Sequence, residues 1–218
     1  MRNWIETQLG HIVGVALAGL IHLLTAPRIV WRSKPPGRRA RVYFANHTSN
    51  ADTVLIWAAL PPKLRKRTRP VAAADYWLKN GVRKFFGTRV FFTVLIQRDP
   101  DERGEQNPVE QMGGALDAGS SLILFPEGRR NDTEAPLLPF KTGLFHLASA
   151  RPDIDLVPVW IDNLNGVMPR GEVIPVPLIC QIFFGEPMRL GDTEERDVFL
   201  QRASDAMLSL RPEREANT

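Results

Sequence analysis

The chain changes from strand to helix across Val42-Tyr43-Phe44-Ala45-Asn46-His47-Thr48-Ser49-Asn50-Ala51-Asp52, and this change sets the architecture. On one continuous helix, residues five positions apart point roughly 140° away from each other. His47 and Asp52 can therefore meet only if His47 lies on the loop leaving the strand and Asp52 lies in the first helical turn. Thr48, Ser49 or Asn50 would supply the N-cap. The pattern predicts an imidazole held by a carboxylate, which is a common arrangement of a general base.

Predicted strands and helices alternate along the rest of the chain. The strands are predicted over 42–45, 69–74, 90–97, 121–125, 156–161 and 180–185, and the helices over 50–60, 76–86, 141–150 and 193–210. A further helix is capped by Asn107 and ends at Gly119. This alternation predicts an α/β fold with a central, mostly parallel or mixed sheet flanked by helices.

A second charged cluster follows another predicted strand, Ser121 to Phe125. It reads Pro126-Glu127-Gly128-Arg129-Arg130. Open α/β sheets bind ligands beyond the carboxyl ends of their strands. The cluster is therefore predicted to lie at the same edge of the sheet as His47.

Length and composition favour one folded domain with small additions. The 218 residues are 44% hydrophobic and 24% charged, which is ordinary for a globular protein. We predict an apolar helix and basic linker over 1–40, an α/β domain over 41–212 and a polar tail over 213–218. The single cysteine, Cys180, excludes an internal disulfide. One thiol is too few for a Cys-based metal site and no His pair has metal-ligand spacing, so the expected chemistry uses no metal. No cofactor is expected.

The first apolar segment, Leu9 to Ala26, has about the shortest length that spans a bilayer core. Its Gly and His residues also suit a helix lying in one leaflet, so both arrangements are open, as is a purely structural helix. The basic residues that follow it would hold its C-terminal end in the cytoplasm. The sequence thus predicts a membrane-associated helix at the inner face of the cytoplasmic membrane, with the catalytic domain cytoplasmic.

Two basic patches indicate an anionic partner. They comprise Arg28, Arg32, Lys34, Arg38, Arg39 and Arg41, and then Lys63, Arg65, Lys66, Arg67 and Arg69. Beside an apolar segment, such patches favour a phospholipid surface, with a solvated protein face as the alternative. The aromatic residues are not interleaved with the basic ones as base stacking would require, so nucleic acid is not an expected partner.

Four blocks of the chain, in order, resemble the glycerophospholipid acyltransferases typified by lysophosphatidic acid acyltransferase. The family's NHxxxxD block corresponds to Asn46–Asp52, its second block to Val94–Arg98, its FPEGTRS block to Phe125–Asn131 and its VPV strand to Val157–Val159. The resemblance covers roughly 41–161. Two departures bear on the identity of the acceptor. Phe92 stands where the second block often has Gly, and Arg129 replaces the Thr of FPEGTRS.

The resemblance implies a direct acyl transfer. His47 would take the proton of the acceptor hydroxyl and Asp52 would hold the imidazole tautomer, with no acyl-enzyme. The donor would be acyl-CoA or acyl-carrier protein, acting as co-substrate. The acceptor would be a lysophospholipid, and lysophosphatidic acid would give phosphatidic acid. Three alternatives stay open: another lysolipid such as lyso-ornithine lipid, a thioesterase, and a non-catalytic peripheral protein that binds lipid. Local capping is the alternative role of His47 and Asp52.

The acceptor's phosphate needs cationic partners, and Arg suits phosphate because its planar fork donates two parallel hydrogen bonds. The candidate substrate-binding residues are Arg98, Glu127, Gly128, Arg130 and Lys141. Glu127 would hold arginine side chains in position, and Gly128 would permit close backbone approach. A solvated surface position is the alternative for Arg98 and Lys141, and a simple pair with Glu127 is the alternative for Arg130.

Overall fold

The computed structural model describes residues 2–34, 37, 39–97, 107–162 and 180–212. The strands are β1 (Arg28–Trp31), β2 (Arg41–Ala45), β3 (Thr68–Ala73), β4 (Val94–Ile96), β5 (Ser121–Leu124), β6 (Asp155–Asp162) and β7 (Gln181–Phe184). The helices are α1 (Arg2–Thr25), α2 (Asp52–Ala59), α3 (Pro62–Arg65), α4 (Ala74–Trp77), α5 (Gly81–Phe85), α6 (Pro108–Asp117), α7 (Gly143–Ala150) and α8 (Arg196–Leu208). A π-helical turn, Phe86–Val90, follows α5.

The strands form one sheet in the order β1-β7-β6-β2-β5-β3-β4. All neighbouring strands are parallel except β6 and β7, which are antiparallel. The predicted α/β fold with a mostly parallel, mixed sheet is confirmed.

Helices cover both faces of the sheet. Because successive side chains of a strand point to opposite faces, one strand can contribute apolar residues to a core on each face. On β2, Tyr43 and Ala45 join a core shared with α1 and α2. Val42 and Phe44 join the opposite core, which α6, α7 and α8 complete. Burial on both faces explains why β2 is a continuous apolar run.

The N-terminal helix α1 rests on the first of these cores through small residues. Gly10, Gly14 and Ala18 are buried, and a Cβ added at Gly10 would clash with the carbonyl oxygen of Arg89. Glu6 forms an ion pair with Arg89 at 2.7 Å. Among the described residues, one helical segment, Ile5–Thr25, is long and apolar enough to cross a membrane.

The structure contains a strand that the sequence did not predict. β1 lies within the basic linker and pairs in parallel with β7, with Arg28 opposite Gln181. Trp31 stacks on Phe184, with ring centroids 4.0 Å apart. A four-residue strand that begins with Arg and lies at the sheet edge has too little periodicity to be recognised from sequence.

The predictions around residues 76–97 were partly wrong. The single predicted helix is divided into α4 and α5 because the Asn80 side chain accepts a hydrogen bond from the Arg83 amide and starts a new helix. The predicted strand from residue 90 begins only at Val94. Phe92 has φ of +49°, a left-handed conformation that a strand does not allow.

Candidate active site

The loop between β2 and α2 is organised around the Asp52 carboxylate. Its Oδ2 accepts hydrogen bonds from His47 Nδ1 at 2.7 Å, from the Thr48 amide at 2.7 Å and from the Ser49 amide at 2.8 Å. Asp52 is the first residue of α2, as predicted. The predicted N-cap was wrong, because Ala51 takes that position without a side-chain bond. The Asp52 carboxylate reaches back to the loop amides and makes a separate cap unnecessary.

Burial gives Asp52 an unusual electrostatic environment. The side chain is fully buried, and this burial raises the pKa of its carboxyl above the ordinary value, while the hydrogen bonds from His47, Ser49 and Thr48 offset part of the rise. Oδ1 has no hydrogen-bond partner within the described ranges. A positive charge that forms next to a buried carboxylate is stabilised by it, because the low-dielectric surroundings screen the attraction only weakly.

The His47 imidazole is fixed on two sides. Its Nδ1 faces Asp52, and its ring stacks on Phe125 with centroids 4.3 Å apart. Because a carboxylate only accepts, Nδ1 carries the proton and Nε2 presents a lone pair. No residue in the described part of the chain hydrogen-bonds Nε2. With 22% of the side chain exposed, His47 can reach a substrate from the edge of the sheet.

Asn46 extends the pairing of β2 with β6 beyond the last strand residue. Its side-chain amide donates to the Ile161 carbonyl at 3.0 Å, and its side-chain oxygen accepts from the Ile161 amide at 2.8 Å. The sequence pattern predicts no role for Asn46 or for the ring of Phe125. Both residues belong to the quoted motifs and lie beside predicted site residues. Together they hold the backbone and the ring of His47.

The Glu127 carboxylate links the site's two loops. It accepts a hydrogen bond from the His47 amide at 2.8 Å and another from the Leu138 amide at 2.8 Å. Its burial raises the pKa of the carboxyl, and these two amide bonds offset part of that rise. The hypothesis that Glu127 positions arginine side chains does not match these contacts, because Arg130 pairs with Asp132 instead.

The loop after β5 encloses His47 and brings the other candidates near it. The Asn131 amide donates to the His47 carbonyl at 2.7 Å, so Arg130 lies one residue from a direct contact with the loop that carries His47. Gly128 has φ of +71°, and a Cβ there would lie 3.1 Å from Lys141 Cγ. The Lys141 amide donates to the Pro126 carbonyl. Arg98 lies outside the described residues.

Replacing Glu127 by glutamine is expected to lower the free energy of unfolding by about 1–3 kcal/mol, because the glutamine amide group must face one of two amide donors and leaves it unsatisfied. Denaturation in urea followed by circular dichroism measures this change. Glu110→Gln is the matched control, since Glu110 is exposed in the first turn of α6 and its loss should cost under about 0.5 kcal/mol. Equal effects of the two substitutions would contradict the linking role.

The sequence that contains this site matches a known protein family. The family model described as Acyltransferase matches residues 30–162, which include every candidate site residue. The chain belongs to the acyltransferase family.

Individual family members are similar at moderate identity. The 1-acyl-sn-glycerol-3-phosphate acyltransferase of Haemophilus influenzae is 33% identical over 144 residues, covering 65% of this chain and 55% of that protein. The 1-acyl-sn-glycerol-3-phosphate acyltransferase of Cocos nucifera is 27% identical over 194 residues, covering 87% of this chain and 58% of that protein. The chain therefore spans little more than half the length of these family members.

A solved structure in the family has the same fold. The crystal structure of the 1-acyl-sn-glycerophosphate (LPA) acyltransferase PlsC from Thermotoga maritima superposes with a TM-score of 0.70 at 16% identity. The match covers 96% of this chain and 79% of that one. At this identity the likeness establishes the fold, including a sheet with an N-terminal helix.

Proposed function

We propose that the protein is an O-acyltransferase that transfers a fatty acyl group from acyl-CoA or acyl-carrier protein to the free hydroxyl of a lysophospholipid. The proposed acceptor is lysophosphatidic acid and the product is phosphatidic acid. The observation that carries the proposal is the hydrogen bond between His47 Nδ1 and Asp52, which leaves Nε2 directed to a substrate. The names of the relatives from Haemophilus influenzae and Cocos nucifera support this choice of acceptor.

His47 serves as general base in the proposed mechanism. Nε2 removes the proton of the acceptor hydroxyl as its oxygen attacks the thioester carbonyl carbon. The carbon–sulfur bond then breaks, and the leaving thiolate receives the proton from the imidazolium. Asp52 stabilises the imidazolium between these steps. The reaction needs no metal and no cofactor besides the acyl donor.

Direct transfer is favoured over an acyl-enzyme because the available nucleophiles are poorly suited. Burial, with Asp162 and Asp52 nearby, raises the pKa of the Cys180 thiol to about 11, so thiolate is scarce at neutral pH. Ser49 is buried, and its Oγ accepts a hydrogen bond from the Ala51 amide at 3.2 Å. Neither side chain is activated by His47.

We assign the acceptor's phosphate to the loop that surrounds His47. Gly128 lets the stem of Lys141 lie against the backbone, and Arg130 is 39% exposed beside its partner Asp132. An exposed ion pair is weak, so a phosphate can compete with Asp132 for the guanidinium. Arg98 is proposed as a further phosphate contact from its place in the second motif.

Helix α1 would hold the enzyme at its lipid substrate, on the inner face of the cytoplasmic membrane. Its exposed face carries large apolar side chains at Ile5, Leu9, Ile12, Val15, Leu20 and Leu23. The other face packs on the α/β domain, so lipid cannot surround the helix. This arrangement suits a helix partly sunk in one leaflet better than a free-standing span.

Arg130→Ala is expected to raise KM for lysophosphatidic acid by about tenfold or more while changing KM for the acyl donor less than about twofold, because a charged hydrogen bond to phosphate contributes about 1.5–3 kcal/mol. Steady-state kinetics with each substrate varied in turn measure both constants. Arg151→Ala is the matched control, since Arg151 is 37% exposed and paired with Asp117. Equal acceptor constants in wild type and Arg130→Ala would reject the phosphate role.

The overall proposal is tested by incubating purified protein with labelled acyl-CoA or acyl-carrier protein and a panel of lysolipids. Labelled phosphatidic acid is the expected product. Transfer only to another lysolipid, such as lyso-ornithine lipid, would reassign the acceptor. Release of free fatty acid in all reactions would indicate a thioesterase, and lipid binding without turnover would indicate a non-catalytic protein.

A further inference from the structure

A cavity lies at the edge of the sheet opposite the candidate active site. Its volume is about 820 Å³, and its lining includes Thr68, the first residue of β3, and Ser120, which directly precedes β5. Thr68 pairs with Ser121 at the start of the sheet, whereas His47 follows the carboxyl end of β2. A strand rises about 3.3 Å per residue, so the two edges are separated by roughly 15–17 Å along the five residues of β2.

Part of the cavity wall is apolar and lies beside α1. Gly14 and Val15 of α1 line it together with Trp57 and Phe91, while Thr7, Gln8 and His11 of the same helix add polar groups. Trp57 and Phe91 are in edge contact, with ring centroids 5.1 Å apart. The exposed face of α1 adjoins this wall through Val15, which is 53% exposed. An acyl chain entering beside Val15 would therefore meet the apolar rings of Trp57 and Phe91.

The cavity lining also carries three cations, Arg65, Lys66 and Arg69. The Arg65 guanidinium lies 5.3 Å from the Trp57 ring centroid and donates to the Ala58 carbonyl at 3.3 Å. Arg69 donates to the Phe92 carbonyl at 2.6 Å. Across the described ranges, no carboxylate lines the cavity and none pairs with these three side chains. The positive charge of this rim is thus uncompensated.

Phe92 adds a strained contact to the same cavity. It combines φ of +49° with a ring that is 41% exposed, although both features are unfavourable for an aromatic residue. Its position between Phe91 and β4 contributes a carbonyl to Arg69 and a ring to the cavity. Strained residues cluster at functional sites, and here the strain coincides with a cationic, apolar pocket.

We propose that this cavity binds an intact anionic phospholipid of the bilayer, separately from catalysis. The phosphate would lie among Arg65, Lys66 and Arg69, and one acyl chain would run along α1 past Trp57 and Phe92. The charge of the rim selects an anionic headgroup, and the apolar wall requires an attached chain, so free phosphate would bind poorly. The site goes beyond the proposed transferase function and would seat the protein on anionic membrane.

The test uses dioctanoyl phosphatidylglycerol, titrated into the purified protein in neutral detergent and followed by isothermal titration calorimetry. The double variant Arg65→Gln/Lys66→Gln is expected to weaken binding by at least tenfold. Lys63→Gln is the matched control, because Lys63 is exposed on the same helix but does not line the cavity, and it should change binding less than twofold. Dioctanoyl phosphatidylcholine should bind at least fivefold more weakly, and inorganic phosphate should give no measurable heat.

Two further variants separate this site from the catalytic edge and from general loss of structure. The titration is repeated with Lys141→Ala. This variant should bind dioctanoyl phosphatidylglycerol as wild type does, because Lys141 lies at the active-site edge of the sheet. Phe92→Gly relieves the backbone strain and should leave thermal stability equal or higher while weakening lipid binding about threefold or more. The proposal is overturned if the double variant binds as wild type, if phosphatidylcholine binds equally, or if Lys141→Ala abolishes binding. Rejection of this lipid site would leave the proposed acyl-transfer function standing, because that function depends on other residues.

Discussion

His47→Ala is expected to lower kcat for acyl transfer by about 10²–10⁴-fold, the usual contribution of a positioned general base. The substitution removes the imidazole that Asp52 holds in place, and it leaves the acceptor hydroxyl without a base. Fold stability should change by only about 1 kcal/mol, because Asp52 keeps its bonds to the Thr48 and Ser49 amides. Transfer of labelled acyl group to lysophosphatidic acid measures the loss, and thermal denaturation measures the stability.

His146→Ala provides the control for this experiment. His146 is an exposed histidine of α7. Its replacement should leave kcat within about twofold of wild type, as expected of a surface substitution. Turnover by His47→Ala at the wild-type rate would contradict the assignment of His47 as the base, whichever acceptor is used.

Asp52→Asn is expected to lower kcat by about 10²–10⁴-fold, although the side chain keeps its shape. Asparagine carries no charge to stabilise the imidazolium, and its amide group can favour the wrong tautomer of His47. The loss should appear in kcat more than in KM, because Asp52 is buried and stabilises charge that forms during the reaction. Steady-state kinetics with both substrates measure the two constants.

Asp155→Asn is the control for the buried carboxylate. Asp155 begins β6 at the opposite edge of the sheet and pairs with Arg41 and Arg189. Its replacement should reduce stability by about 1–3 kcal/mol without altering kcat beyond about twofold. A similar drop in kcat for both variants would show that the effect of Asp52→Asn comes from general loosening of the fold.

The sequence predicted those parts of the site that depend on local spacing. His47 and Asp52 are separated by a strand-to-helix turn, and that turn alone brings them together. The neighbourhood of Glu127 and His47 was also predicted, because both follow parallel strands that end at one edge. These strands, β2 and β5, are direct neighbours in the sheet.

The sequence could not predict the hydrogen-bond partners of the site residues, because these partners depend on which segments lie close together in the folded chain. Glu127 was expected to hold arginine, but it accepts amide bonds from His47 and from Leu138. A carboxylate motif specifies an acceptor and does not specify which donor the folded loop supplies. The strand β1 was missed for a similar reason, since its pairing partner is β7, far along the chain.

That pairing of β1 with β7 has a consequence for how the protein is made. During synthesis, α1 and β1 leave the ribosome well before β7, so Arg28 and Trp31 find their hydrogen-bonded neighbours only when Gln181 and Phe184 have been translated. Contacts between distant segments form late because their loop must close first. The end of α1 that leads into β1 is therefore joined to the sheet only after β7, the last strand, has been translated.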